Sequence, residues 1–144
     1  MADIKHRIII KAPANAVYQL IATKAGIRKW LTKDNGWKIT GKENIDDSLL
    51  FYFGGNHHEM KILKLTPDKE VNWICPYGPP EWINTTVTFK IEAKDDTSIL
   101  QFTHAGWGKK SAFLKLCSEV WKSCIADIKN VAEATLKPKH YNVK

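Results

Sequence analysis

The 144-residue chain has only three cysteines, at positions 75, 117 and 124, and no Cys-x-x-Cys pair or Cys/His ligand spacing. Cys117 and Cys124 would stand about 10 Å apart along a helix, too far for a disulfide. A reduced, cytoplasmic protein with no metal site is expected, its thiols serving as small hydrophobes. No apolar run approaches the ~20 residues that span a bilayer, and no signal-like apolar segment lies near the N-terminus, so no membrane span is expected. No Gly-rich phosphate loop follows a strand, and neither G-x-S-x-G nor H-E-x-x-H occurs. Blocks of like charge are missing too. The 22 Lys and Arg against 15 Asp and Glu give a formal charge of +7, but they are scattered. Such dispersal reads as a solubilising surface and argues against a nucleic-acid partner.

What the chain does have is a long helical pattern near its end. From about Lys109 to Leu136, Phe113, Leu116, Cys117, Val120, Trp121, Cys124, Ile125, Ile128, Val131 and Ala132 share one side of a helical wheel. That arc is wider than the ~100° a surface helix needs, so the helix must be wrapped by something. A helix of about 28 residues would run about 42 Å. The strands before it are the only candidate for the wrapping.

Ile4, His6, Ile8 and Ile10 alternate with Lys5, Arg7, Ile9 and Lys11 in a period-two strand. Pro13 breaks it, and a short helix over Ala14 to Ile21 points Val17, Leu20 and Ile21 inward. Thr23 is the N-cap of a second short helix ending near Trp30 and Leu31. Strands are expected at about 37–43, 48–54, 58–65, 71–76, 82–93 and 98–105, separated by turns rich in Gly, Pro, Asn and Asp. Links this short force antiparallel pairing. The economical result is α+β: a curved seven-stranded antiparallel sheet gripping the C-terminal helix, with two short helices after the first strand. One domain is expected over 1–137, followed by a basic tail at 138–144.

Several segments resemble a known family. Ile8 to Tyr18 is similar to its opening strand, Ala-Pro and helix with an inward Val. Ile27-Arg28-Lys29-Trp30-Leu31 stands where it has a helix-ending Trp. Ile62 to Trp73 resembles its strand–Pro turn–strand hairpin. Thr85 to Ile91 and Leu100 to Trp107 resemble its last hairpin and Thr-His-x-Gly-aromatic exit. The chain thus resembles the START-related, Bet v 1-like (SRPBCC) helix-grip superfamily, in the branch of the activator of heat-shock-chaperone ATPase. Many helix-grip proteins bind lipids, sterols or aromatic metabolites, and the resemblance implies a ligand cavity between sheet and helix.

The middle of the helix stripe carries Cys117 and Cys124 rather than larger residues, which leaves volume for rings or a ligand. Phe51, Phe53, Trp73, Phe89 and Phe102 are expected around it, with Trp121 from the helix and Trp82 and Trp107 as further large rings. His104 shares the phase of Leu100 and Phe102. It is either a polar group for a ligand or general base, or an anchor of the strand-to-helix corner through backbone carbonyls. His57 and His58 are adjacent on a strand, so they face opposite ways and read as a hairpin end. The expected function is non-enzymatic binding of a small hydrophobic or amphipathic ligand, without a cofactor, by a monomer or weak dimer. The alternatives are a co-chaperone-type protein-interaction domain with a chaperone partner, and a cyclase- or hydratase-type enzyme using His104 with water or a tyrosine such as Tyr52.

Overall fold

A computed structural model of the chain describes residues 2–31 and 36–136. The expected tail at 138–144 lies outside them. The alternation at the start forms β1 (Ala2–Ile10), with Ile4 and Ile10 buried and Lys5 and Arg7 exposed. The Pro13 carbonyl accepts from the amides of Ala16 and Val17 at 3.0 and 3.3 Å, opening α1 (Ala14–Ala22). Thr23 caps α2 (Lys24–Leu31), its Oγ1 accepting the Gly26 amide at 2.9 Å.

Gly26 is the packing point between these two helices. A Cβ there would lie 1.9 Å from the Gln19 carbonyl oxygen and 2.7 Å from the Leu20 Cα. Those are backbone atoms and cannot step aside. Gly26→Ala is therefore expected to cost about 2 kcal/mol by forcing α1 and α2 apart, read as a lower urea midpoint; an unchanged midpoint would refute the close approach.

β2 (Trp37–Gly41), β3 (Ser48–Phe53), β4 (Asn56–Thr66), β5 (Glu70–Tyr77), β6 (Thr86–Lys94) and β7 (Thr97–Trp107) form an antiparallel meander. With β1 they make a seven-stranded sheet in the order β1-β7-β6-β5-β4-β3-β2. Its turns place Asp46, Asp68, Asn84 and Asp95 at positive φ, where short hydrogen-bonding side chains are tolerated best. Register shifts in β4 between Glu59 and Lys61 and between Ile62 and Lys64 bend the sheet into its curl. The free edge of β2 is closed by α2: Arg28 Nη2 donates to the Ile39 carbonyl at 3.1 Å, and Lys24 Nζ to that of Gly41.

Two expectations need correction here. The strand expected over 82–93 begins only at Thr86, because the Thr85 amide turns back onto the Trp82 carbonyl at 2.9 Å and Asn84 stands at positive φ. Pro80–Trp82 instead forms a 3-10 turn, with the Trp82 amide on the Pro79 carbonyl at 2.8 Å. Trp82 thus reaches the interior from a loop.

The second concerns the long helix, α3 (Ala112–Leu136), whose first turn is capped by Ser111 Oγ on the Leu114 amide at 3.0 Å. Leu116 and Val120 are 59% and 52% exposed, and Leu114 is buried in their stead. The helix is seated against β1 by the His6 ring on the Ser118 carbonyl (2.9 Å), Lys129 Nζ on the Ile9 carbonyl (3.0 Å) and the Lys11 amide on Glu133 (2.8 Å). These bonds turn the buried face toward Leu114, Cys117, Ile125, Ile128 and Ala132.

Candidate functional site

The concave face and the helix meet through rings. Phe51, Trp73, Phe89, Phe102 and Trp121 follow one another from β3 across the sheet to α3, with centroid spacings of 5.9, 5.3, 5.3 and 4.4 Å. Trp82 closes the circuit, 6.3 Å from Trp121 and 4.9 Å from His58, and His58 stacks on Phe51 at 4.9 Å. These rings touch one another across the space between the sheet and the helix. Burial pushes the thiol of Cys124 up to about 12 and that of Cys75 to about 11, and raises that of Cys117. All three stay protonated near neutrality and are no nucleophiles.

His104 is fully buried in this wall. Trp121 Nε1 donates to its Nδ1 at 3.1 Å. An indole nitrogen can only donate, so the network puts the imidazole proton on Nε2, which donates to Thr85 Oγ1 at 2.8 Å. The Thr85 hydroxyl passes the chain on to the Trp82 carbonyl. His104 therefore anchors the corner, as one reading of the sequence had it, but through two side chains rather than backbone carbonyls. Both ring nitrogens are spent within the fold. Burial, with the nearby His58, lowers its pKa to about 4. Tyr52 does not join it: its ring lies on the opposite face of the sheet, stacked on His57 at 5.2 Å.

A groove of about 440 Å³ opens where the β3–β4 hairpin meets the loop after β5. Its lining is largely aromatic: Trp37, Phe51, Phe53, His57, His58 and Tyr77, with Asn56, Gly55, Gly78, Pro79 and Pro80. Trp37 and Phe53 are cross-strand partners stacked at 5.0 Å. Phe53 is 50% exposed, so it walls this opening rather than the interior. The His58 ring is flanked edge-on by Trp82 at 4.9 Å and Trp37 at 5.7 Å. Burial, and then the neighbouring His57, lower its pKa to about 4. A second depression of about 660 Å³, by the β4–β5 turn, is lined by mixed charges including Asp68, Glu70, Lys90 and Glu92. Among the described residues no cluster of His, Cys, Asp or Glu is placed to hold a metal ion, and no helix is long and apolar enough to cross a membrane.

Of the residues expected around a cavity, Trp73, Phe89, Phe102, His104, Cys117 and Trp121 stand in or against the buried ring circuit, and Cys124 packs against the same core. Only Phe51 and Phe53 reach the groove. His58, Trp37 and Tyr77 were not anticipated there. The signal for His58 was in the strand: it shares the phase of the buried Met60 and Ile62 and pairs with Phe51.

A curved antiparallel sheet closed on a long C-terminal helix, with two short helices after the first strand, defines the helix-grip fold. The chain belongs to the family described as activator of Hsp90 ATPase homolog 1-like proteins, whose profile matches residues 11–133. It is similar to Aha1 of Colwellia psychrerythraea, solved in solution as a dimer, with 31% identity, a TM-score of 0.82, and 92% of this chain and 97% of that one covered. A protein of Mesorhizobium loti shares the fold at 14% identity and a TM-score of 0.78, covering 93% of this chain and 98% of that one. So does CalU16 of Micromonospora echinospora, at 17% and 0.71, covering 90% and 65%. No curated protein matches the sequence.

Proposed function

We propose that the domain is a non-enzymatic binder of a small apolar or amphipathic molecule, taken up at the open end of the sheet. The observation that carries this is the aromatic groove of about 440 Å³, whose wall runs through Phe51 into the buried ring circuit. Its volume falls in the ~300–1,000 Å³ typical of small-molecule sites. Catalysis is disfavoured because His104 has no free nitrogen with which to take a proton. With Cys75, Cys117 and Cys124 all free thiols, we place the protein in the cytoplasm. Lipids and aromatic metabolites screened by thermal shift should include a stabiliser, worth about 2.7 kcal/mol at a hundredfold excess over Kd. Uniform failure of the screen overturns the reading.

The second reading is a protein partner, a chaperone or a second copy of the chain. It is favoured by the family's description and by the 31% identity to a dimeric Aha1. Leu116 and Val120, one turn apart and exposed on α3, supply apolar surface for such a contact. Sedimentation over a wide concentration range and chaperone ATPase rates decide it. A persistent monomer that leaves those rates unchanged excludes it.

A further inference from the structure

Resting on the ligand-binding reading above and narrowing it, we propose that the groove is a site for uncharged planar aromatic molecules bearing one hydroxyl or ring N–H. The aromatic body packs on Trp37 and Phe53, and its polar group bonds the His58 imidazole.

His58 is the observation that selects this chemistry. Phe51 lies parallel to its ring, within 9° at 4.9 Å, and Trp82 and Trp37 meet it with interplanar angles of 72° and 76°. Its ring nitrogens make no hydrogen bond among the described residues, and the half-buried side chain lines the groove, so they meet solvent there. A ligand hydroxyl or N–H can take the place of that water and bond the imidazole directly. The imidazole is neutral at pH 7, so it offers one donor and one acceptor and serves a hydroxyl in either sense.

Charge narrows the class further. None of the lining residues is Lys, Arg, Asp or Glu. A carboxylate would lose its hydration with no cation to meet it. An ammonium ion would gain from the ring faces but faces a chain of formal charge +7. Shape favours a flat guest, because Trp37 and Phe53, stacked at 5.0 Å, form a ring stack that a planar molecule can extend. The opposite wall depends on Gly78, where a Cβ would lie 2.9 Å from the His58 Cβ and 3.2 Å from Cys75 Sγ. The φ of Gly78 is not in the left-handed region, so this glycine provides space and brings the Tyr77–Pro80 loop against the histidine.

The test uses the full chain and four probes of one shape: naphthalene, 2-naphthol, 2-naphthoate and a naphthylmethyl-trimethylammonium salt. Affinities are measured by calorimetry, and the His58 imidazole nitrogens are followed by NMR. 2-Naphthol should bind about five- to tenfold tighter than naphthalene, the worth of one neutral hydrogen bond. Both charged probes should bind more weakly than 2-naphthol. His58→Phe keeps a planar ring but offers neither donor nor acceptor, and should abolish the preference for 2-naphthol over naphthalene. The imidazole shifts in the unmodified chain should move with 2-naphthol and much less with naphthalene, which keeps the test sound if the variant misfolds. Equal affinity for the two neutral probes, imidazole shifts that ignore the hydroxyl, or tightest binding of a charged probe overturns the assignment. In each of those cases binding itself occurs, and the broader reading survives. If no probe binds and the wider screen is also empty, both fail together.

Discussion

Lowering the pH from 7.5 to 5.0 is expected to remove about 4 kcal/mol of folding stability, about 2 kcal/mol for each of His58 and His104. Both imidazoles are held near a pKa of about 4 in the fold, against an ordinary 6.5, chiefly because burial disfavours the cation. The unfolded chain therefore binds more protons than the native one between those values. Stability from these groups is complete above pH 6.5, falls as the pH drops toward 4, and is level below that. The groups around His104 cannot rescue the cation. Asp3 favours it, but His58 opposes it, and Trp121, Thr85 and Trp82 around it are uncharged. The loss is large for a domain whose total stability is of order 5–15 kcal/mol. Glu133, held below its usual 4.5 by the Lys11 amide and Lys129, adds its own loss at lower pH and so stays distinguishable. Urea midpoints at pH 7.5, 6.5 and 5.0 measure the effect. His104→Leu should lower stability at pH 7.5, because Trp121 Nε1 loses its acceptor, and should also halve the pH dependence. A midpoint that does not move between pH 7.5 and 5.0 would show that the two rings accept protons freely within the fold.

The architecture was legible because its determinants are local. Alternation at Ile4–Ile10 allows one strand phase, Pro13 and Thr23 open helices by fixed chemistry, and turns with Asp46, Asp68 and Asp95 leave no room for crossovers. The site was less legible because its determinants are relational. Leu116 and Val120 are apolar and lie beside Phe113 and Cys124 on the wheel, yet they face solvent. The rotation of α3 is set by bonds between His6 and Ile9 on the first strand, with Lys11 just after it, and Ser118, Lys129 and Glu133, more than a hundred residues away in the chain. Likewise Phe53 is in phase with the buried Leu49 and Phe51, but β3 ends there and the ring emerges at the rim. Trp82 required knowing that the turn after the double proline would fold inward, where its ring shields His58 and His104. Hydrophobicity told which residues wanted burial; only the assembled sheet decided which of them obtained it.

Phe89→Ala is expected to cost about 4 kcal/mol, which for a domain of this size lowers Tm by roughly 12–15 °C. Phe89 is fully buried at the centre of the ring circuit, 5.3 Å from both Trp73 and Phe102 and 6.5 Å from Trp121. Rings of this size, held edge to face, cannot collapse into the space that a lost phenyl leaves. The new void would be lined by aromatic and aliphatic carbon, so it should stay dry and admit a small apolar guest. Benzene should therefore raise the Tm of the variant and leave that of the parent chain unchanged. The comparison separates two places for a ligand. If the parent is stabilised by benzene as strongly as the variant, and Phe89→Ala costs little, then the interior between sheet and helix is already hollow. The small residues Cys117 and Cys124 would then mark a true container. If only the variant responds, the parent's interior is solid, and any natural ligand must be sought at the rim, between Trp37, Phe53 and His58.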